Sequence, residues 1–286
     1  MPIAAANMGR LGIVAGGGGL PLAIMEAERR RGALPYLMGI REALDARVAP
    51  YVEQTVSVGE LDLCATRLIE AGCTHVCLVG YVQRPNLSEV RIDRGGEAIL
   101  PAFLAALPKG DDAILRVLLD YFEKRGLVIV SASELTDQMT ASAGALTSQK
   151  PNAEEFADIE RAEQFLRAIS PFDVGQSVVI CHGLFLAVEA QEGTDAMLER
   201  VAKLPAPLRG TPQERKGLLV KQSKRGQSLK VDLPTLGPAT LDRVKEAGLA
   251  GIAFEAERTL IIDRAACIAK AETMGIFLWA AAVQDG

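Results

Sequence analysis

Short apolar runs alternate with amphipathic stretches along the first half of the chain. Residues 10–15 (RLGIVA) are apolar at nearly every position, and 36–39, 55–58, 76–80 and 127–131 repeat the signal. Runs of this length predict strands buried on both faces. Between them, residues 61–71 predict an amphipathic helix. Ile114, Leu115, Leu118, Leu119 and Phe122 then recur at helical spacing after Gly110-Asp111-Asp112. Strands alternating with helices imply a parallel sheet with crossover helices. From 135 to 150 the pattern lapses into Thr, Ser, Ala and Gly, which predicts a linker.

The pattern resumes with a helix over 153–169, whose apolar face is Ile159, Ala162, Phe165, Leu166 and Ile169 and which is expected to bridge two domains. Residues 177–181 and 184–188, split by His182-Gly183, predict a β-hairpin. A helix over 196–202 follows, then a buried strand at 218–220, a helix over 238–248 and strands at 251–255 and 259–262. A helix over 264–274 and a strand over 276–280 close the chain. The fold class expected is α/β, with two α/β domains. The first, over 8–136, has a Rossmann-like parallel sheet; 137–169 is the linker and bridging helix; 170–286 is a smaller mixed α/β unit.

Composition narrows the function. A length of 286 residues favours two domains, and a hydrophobic content of 49% supplies their cores. Aromatics are 5% with a single Trp, which argues against a nucleic-acid stacking platform. A net charge of -5 argues against broad binding to DNA or anionic membrane, so any basic site is local. The cysteines at 64, 73, 77, 181 and 267 form no CxxC pair and no zinc spacing, and read as reduced thiols of the cytoplasm. Residues 1–7 lack the features of a signal peptide, and no run approaches the ~20 apolar residues of a membrane helix. The expectation is a soluble, cytoplasmic protein.

Candidate chemistry gathers at a few places. Gly16, Gly17, Gly18 and Gly19 follow a strand and precede Pro21 at a helix start, so their amides either make a tight turn or face a phosphate. The dinucleotide fingerprint is broken there, because its third glycine falls on Pro21 or Leu22. The loop from Gly80 to Pro85, with Arg84, ends another strand and is the second binding candidate. Asp111 or Asp112 either caps its helix or contacts a cation or ribose hydroxyl, with Arg116 one turn on. Thr194 or Asp195 caps a helix or meets a substrate at its N-terminus. Residues 217–240 set Lys221, Lys224, Arg225 and Lys230 beside one acid, Asp232, either as a solvated basic loop or as a clamp on phosphates. His75 and His182 lie in no HExxH motif, and no GxSxG elbow exists. Metal-assisted hydrolysis remains open, with carboxylates holding magnesium and lysines neutralising phosphate oxygens.

Several motifs occur in one order: LGIVAGGG from Leu11, Arg84-Pro85, Gly110-Asp111-Asp112, Asp173-Val174-Gly175-Gln176, Glu189 with EGTDAML from Glu192, Leu219-Val220-Lys221, and VDLP from Val231 with GPAT from Gly237. In this order they resemble the LpxI-type UDP-2,3-diacylglucosamine pyrophosphatases, over practically the whole chain. The resemblance implies magnesium-dependent hydrolysis of UDP-2,3-diacylglucosamine to UMP and 2,3-diacylglucosamine 1-phosphate in lipid A synthesis. It also implies a homodimer and loose contact with the cytoplasmic face of the inner membrane. Asp232 matches the family's essential carboxylate, and Lys221, Lys224 and Lys230 are the expected charge stabilisers. Asp173, Gln176, Thr194, Asp195, Gln227 and Thr240 are expected at the substrate, with Glu189 a weaker metal candidate than Asp232. Where many relatives carry Asp and Arg, this chain has Ser228 and Lys230. Ser228 removes a carboxylate, and Lys230 keeps the charge without the bidentate fork. The alternatives are a non-catalytic lipid- or nucleotide-binding module and, from the opening strand and glycine loop, a nicotinamide-dependent oxidoreductase.

Overall fold

The computed structural model describes residues 9–82, 90–135, 139–224 and 233–283. They fall into two compact α/β units, the change from one to the other lying between residues 135 and 139. Along the first unit run β1 (Arg10–Ala15), α1 (Leu20–Arg30), β2 (Tyr36–Ile40), β3 (Gln54–Val56), α2 (Leu61–Glu70) and β4 (Cys73–Val79). They are followed by α3 (Arg94–Ala106), α4 (Asp111–Lys124), β5 (Val128–Ile129) and α5 (Ala132–Leu135). The strand order is β3-β2-β1-β4-β5, and every pair is parallel. β1 is central, so Leu11 to Ala15 are all buried, which is why that run reads as continuously apolar. Val14, Met38, Val56, Leu68, Val76, Phe122 and Ile129 belong to one core on this sheet. Because β1 lies between β2 and β4, the chain reverses direction across the sheet there, and the carboxyl ends of β1 and β4 flank a topological switch point.

Helix α3 is not evident from the apolar pattern, since Pro101 sits inside it. Its start is secured by Asp93, which accepts N–H bonds from Gly96 at 3.0 Å and from Leu63 of α2 at 2.9 Å. The N-cap of α4 is Gly110, so Asp111 and Asp112 stand inside the first turn and not at the cap position.

The second unit contains β6 (Gly144–Ala145), α6 (Ala153–Ile169), β7 (Ser177–Cys181), β8 (Leu184–Val188), α7 (Gly193–Ala202), α8 (Ala206–Arg209) and β9 (Leu218–Lys221). It ends with β10 (Thr235–Leu236), α9 (Pro238–Glu246), β11 (Gly251–Glu255), β12 (Leu260–Ile261), α10 (Arg264–Met274) and β13 (Phe277–Ala281). Its main sheet has the order β6-β13-β11-β9-β7-β8. β13, β11 and β9 are parallel, while β6 and the β7–β8 hairpin pair antiparallel at the flanks. This unit, expected to be the smaller, carries the wider sheet of the two: six strands against five among the described residues. β10 and β12 form a separate short parallel pair.

Alternation along each strand divides the apolar side chains between two layers. Leu219, Ile252, Phe254 and Leu278 face a core shared with Met197 and Leu198 of α7, Leu241 and Val244 of α9, and Cys267 of α10. Leu218, Val220, Ala253 and Phe277 face the other way, onto Ile159, Ala162 and Leu166 of α6. α6 begins with a reciprocal cap, in which Asn152 Oδ1 accepts from Glu155 N at 2.9 Å and Glu155 Oε2 accepts from Asn152 N at 2.8 Å.

Candidate functional site

In the second unit the polar residues collect where β9 and β11 end. Lys221 is the last residue of β9, and the alternation that buries Leu219 aims Lys221 to the same side, towards α7. It is only 4% exposed. Its ammonium donates to Thr194 Oγ1 at 2.9 Å and to the carbonyl of Thr235 at 3.0 Å. The Thr194 hydroxyl in turn donates to Glu189 Oε1 at 3.0 Å, and Ser177 Oγ donates to Glu189 Oε2. Strand register accounts for this meeting, because Ser177 pairs directly with Lys221 across β7 and β9. Burial lowers the Lys221 pKa, and the negative charges of Glu189 and Asp195 oppose that shift. An ammonium has three N–H donors, and among the described residues Thr194 and Thr235 take two of them.

The chain beyond Lys221 is held on both sides. Gln222 N donates to Gln176 O at 2.9 Å, extending the β7–β9 pairing. The backbone N–H of Ser223 bonds Glu255 Oε2 at 3.1 Å, and its hydroxyl donates to the same oxygen. Arg258 lies 3.3 Å from the other oxygen of Glu255. Lys224 forms an ion pair with Asp173, whose backbone is left-handed at φ 52°. Among the described residues Gln176 Oε1 and Gln222 Oε1 are buried without hydrogen-bond partners. Ser177, Gln222, Ser223, Thr235, Glu255 and Arg258 belong to this cluster but carry no motif. The one signal pointing to them is their position at strand ends, which requires the strand order to be known.

The glycine loop of the first unit behaves differently from a free phosphate cradle. Gly16 N donates to Val79 O at 2.8 Å and Gly17 N to Tyr81 O at 2.8 Å, while Tyr81 N returns a bond to Gly17 O at 3.2 Å. Two of the four glycine amides are therefore engaged, Gly16 with the last residue of β4 and Gly17 with the loop after it. Gly80 has φ +90°, and a Cβ there would stand 2.5 Å from Gly17 O, so both conformation and space require glycine.

The remaining candidates are dispersed. Asp112 and Arg116 form an i,i+4 ion pair at 2.8 Å on α4. Asp195 follows Thr194 in the first turn of α7, whose N-cap is Glu192. Thr240 Oγ1 accepts from Gly237 N at 3.3 Å and closes the first turn of α9. Arg84, Gln227, Lys230 and Asp232 lie outside the described residues, as does the side chain of Asp111. Among the described residues no group of three or more His, Cys, Asp or Glu could hold a metal ion. Glu189 does not fit that role, because both its oxygens receive hydroxyl hydrogens and Thr194 links it to the Lys221 ammonium.

Residues 10–139 match the LpxI N-terminal domain and 142–279 match the LpxI C-terminal domain. The Caulobacter vibrioides protein named UDP-2,3-diacylglucosamine pyrophosphatase LpxI is 44% identical over 271 residues, covering 95% of this chain and 97% of that protein. The chain belongs to the LpxI family. Its Lys221 cluster lies within the LpxI C-terminal match, and its glycine loop within the N-terminal one. A solved Methylobacillus flagellatus protein described as an NAD-dependent epimerase/dehydratase is 14% identical over 70% of this chain and 63% of that one, with a TM-score of 0.27. That likeness is too slight to bear on the fold or activity of an LpxI-family chain. Among the described residues no helix is long and apolar enough to cross a membrane.

Proposed function

We propose that this LpxI-family chain hydrolyses the pyrophosphate of UDP-2,3-diacylglucosamine, releasing UMP and 2,3-diacylglucosamine 1-phosphate for lipid A synthesis. The observation that carries the reading is 44% identity along 95% of the chain to the Caulobacter vibrioides pyrophosphatase. The Lys221 cluster is consistent with it, since a desolvated ammonium stabilises charge that grows on a phosphoryl oxygen. Lys224, held by Asp173, supplies a second positive charge. Water attacks the phosphorus on the sugar side, and the bond from that phosphorus to the bridging oxygen breaks, so UMP leaves with the bridging oxygen. Asp232, matched to the family's essential carboxylate, would orient the water and hold magnesium, and Lys230 would add charge at the same phosphates. The bound ion would screen the pyrophosphate and polarise its P–O bonds.

The test is incubation with UDP-2,3-diacylglucosamine and magnesium, with UMP read by chromatography. Wild type should release UMP and EDTA should stop it; Asp232→Ala should be inactive while its thermal unfolding is unchanged. No UMP from wild type would sink the assignment, and full activity of Asp232→Ala would remove that residue from the chemistry. We further propose a homodimer that touches the inner membrane loosely. Light scattering at the mass of a single chain, or no co-sedimentation with anionic vesicles, would refute the respective part.

A further inference from the structure

The carboxyl ends of β1 and β4 carry an aromatic ring that the phosphate chemistry does not use. The Tyr81 ring lies over the glycine loop: a Cβ on Gly17 would come within 2.7 Å of its Cζ, and one on Gly18 within 3.6 Å of its Cδ1. The reciprocal backbone bonds between Gly17 and Tyr81, at 2.8 and 3.2 Å, fix the residue to that loop. One side of the ring thus rests on backbone, yet the residue is 63% exposed. Glycine at position 17 is explained by this contact, because any side chain would displace the ring.

The surroundings suit a nucleotide. Asp45 holds the Arg47 guanidinium through bonds of 2.9 and 2.7 Å. Its bonds from Arg47, with a smaller contribution from the Gly18 backbone N–H, hold the Asp45 carboxyl down at about 2. Ring and loop stand at the switch point of the sheet, where ligands of open parallel sheets bind. A planar base gains from stacking on such a ring whatever its hydrogen-bonding pattern, and a ring already fixed loses little freedom on binding.

We propose that the outward face of Tyr81 is the stacking platform for the nucleobase of the substrate. The identity of that base as uracil rests on the proposed function; the platform itself rests on the geometry of Tyr81 and the glycine loop. Tyr81 then sets KM and leaves the bond-breaking step alone.

Calorimetric titration of UMP and of ribose 5-phosphate into wild type, Tyr81→Ala, Tyr81→Leu and Tyr81→Phe tests this, with thermal unfolding recorded for each. UMP should bind Tyr81→Ala and Tyr81→Leu about 5- to 150-fold more weakly than wild type, the range expected for loss of one stacked base. Tyr81→Phe should bind UMP like wild type, and ribose 5-phosphate should not distinguish the four proteins. In turnover, Tyr81→Leu should raise KM for UDP-2,3-diacylglucosamine and leave kcat. Tyr81→Leu keeps apolar bulk on the loop, so it answers the question even where Tyr81→Ala loosens the loop. Undiminished UMP binding by Tyr81→Leu, equal loss of ribose 5-phosphate, or no UMP binding by wild type would each overturn the platform. Failure of the proposed function is read separately, as absence of UMP release by wild type.

Discussion

Replacing Glu189 with Gln keeps the side chain's volume and removes the charge that faces Lys221. Thr194 Oγ1 stands between them, 3.0 Å from Glu189 Oε1 and 2.9 Å from Lys221 Nζ. Carboxylate and ammonium are therefore at most about 6 Å apart, and at an effective dielectric of about 20 their attraction is about 3 kcal/mol. Removing one partner of a buried pair leaves the other charge uncompensated, at a cost of about 3–5 kcal/mol. Glu189→Gln should thus lose about 3 kcal/mol of unfolding free energy at neutral pH, read as a lower urea midpoint with an unchanged slope. Adding Lys221→Met should recover part of that loss, because the double variant buries no charge at this position. The pH dependence has a definite sign. Burial lowers the Lys221 pKa below its ordinary 10.5 and Glu189 opposes that, so loss of Glu189 lowers it further. The alkaline limb of UMP release, where Lys221 loses its proton, should move to lower pH in Glu189→Gln. In wild type the unfolded chain holds this proton more tightly than the folded one, so the Lys221 contribution to stability rises with pH between its folded value and 10.5. A variant as stable as wild type, or an alkaline limb that stays or moves upward, would refute the reasoning.

Three further outcomes are expected. Gly80→Ala combines φ +90° with a Cβ 2.5 Å from Gly17 O, so it should cost about 1–3 kcal/mol and lower Tm; an unchanged Tm would show that the two loops are not locked together. Asn152→Ala removes one half of the reciprocal cap on α6 and should cost about 1 kcal/mol in urea unfolding, while Glu155→Gln, which can still bond Asn152 N, should cost less. The five free cysteines are all buried, and burial pushes the thiols of Cys64 and Cys267 up to about 12 and that of Cys73 to about 11. A thiol reagent at neutral pH should label them only after denaturation, and stoichiometric labelling of the folded protein would contradict that burial.

Much of the fold is legible in local pattern. The apolar run at 10–15, the hairpin strands at 177–181 and 184–188, the strand at 251–255 and the helices at 153–169 and 264–274 have the same bounds in the structure as in the pattern. Each is long enough to show its period, or is buried on both faces and shows none. Elements of two residues show nothing comparable. β6 is the clearest case, since Gly144–Ala145 lies in a stretch that reads as linker and becomes a strand only by pairing with Trp279 and Ala280. The candidate site is less legible than the fold. Lys221 and Lys224 stand out as charges after a buried strand, but the residues that complete their surroundings, Ser177, Thr235 and Glu255, are chemically ordinary and distant in sequence.

Amino-acid order alone shows most of the longer strands and helices, where glycine is needed to turn, and that positive charge gathers at the end of β9. Those properties depend on neighbours within a few positions, and the chain displays them directly. Only the tertiary structure decides that Lys221 is desolvated and balanced through Thr194 by Glu189, and that two of the glycine amides are taken up by the end of β4 and the loop after it. Burial and partnership at these points follow from strand order and register, which bring residues tens of positions apart within one hydrogen bond of each other. A lysine on a solvated loop and a lysine poised for a phosphate have the same local sequence; register is what separates them.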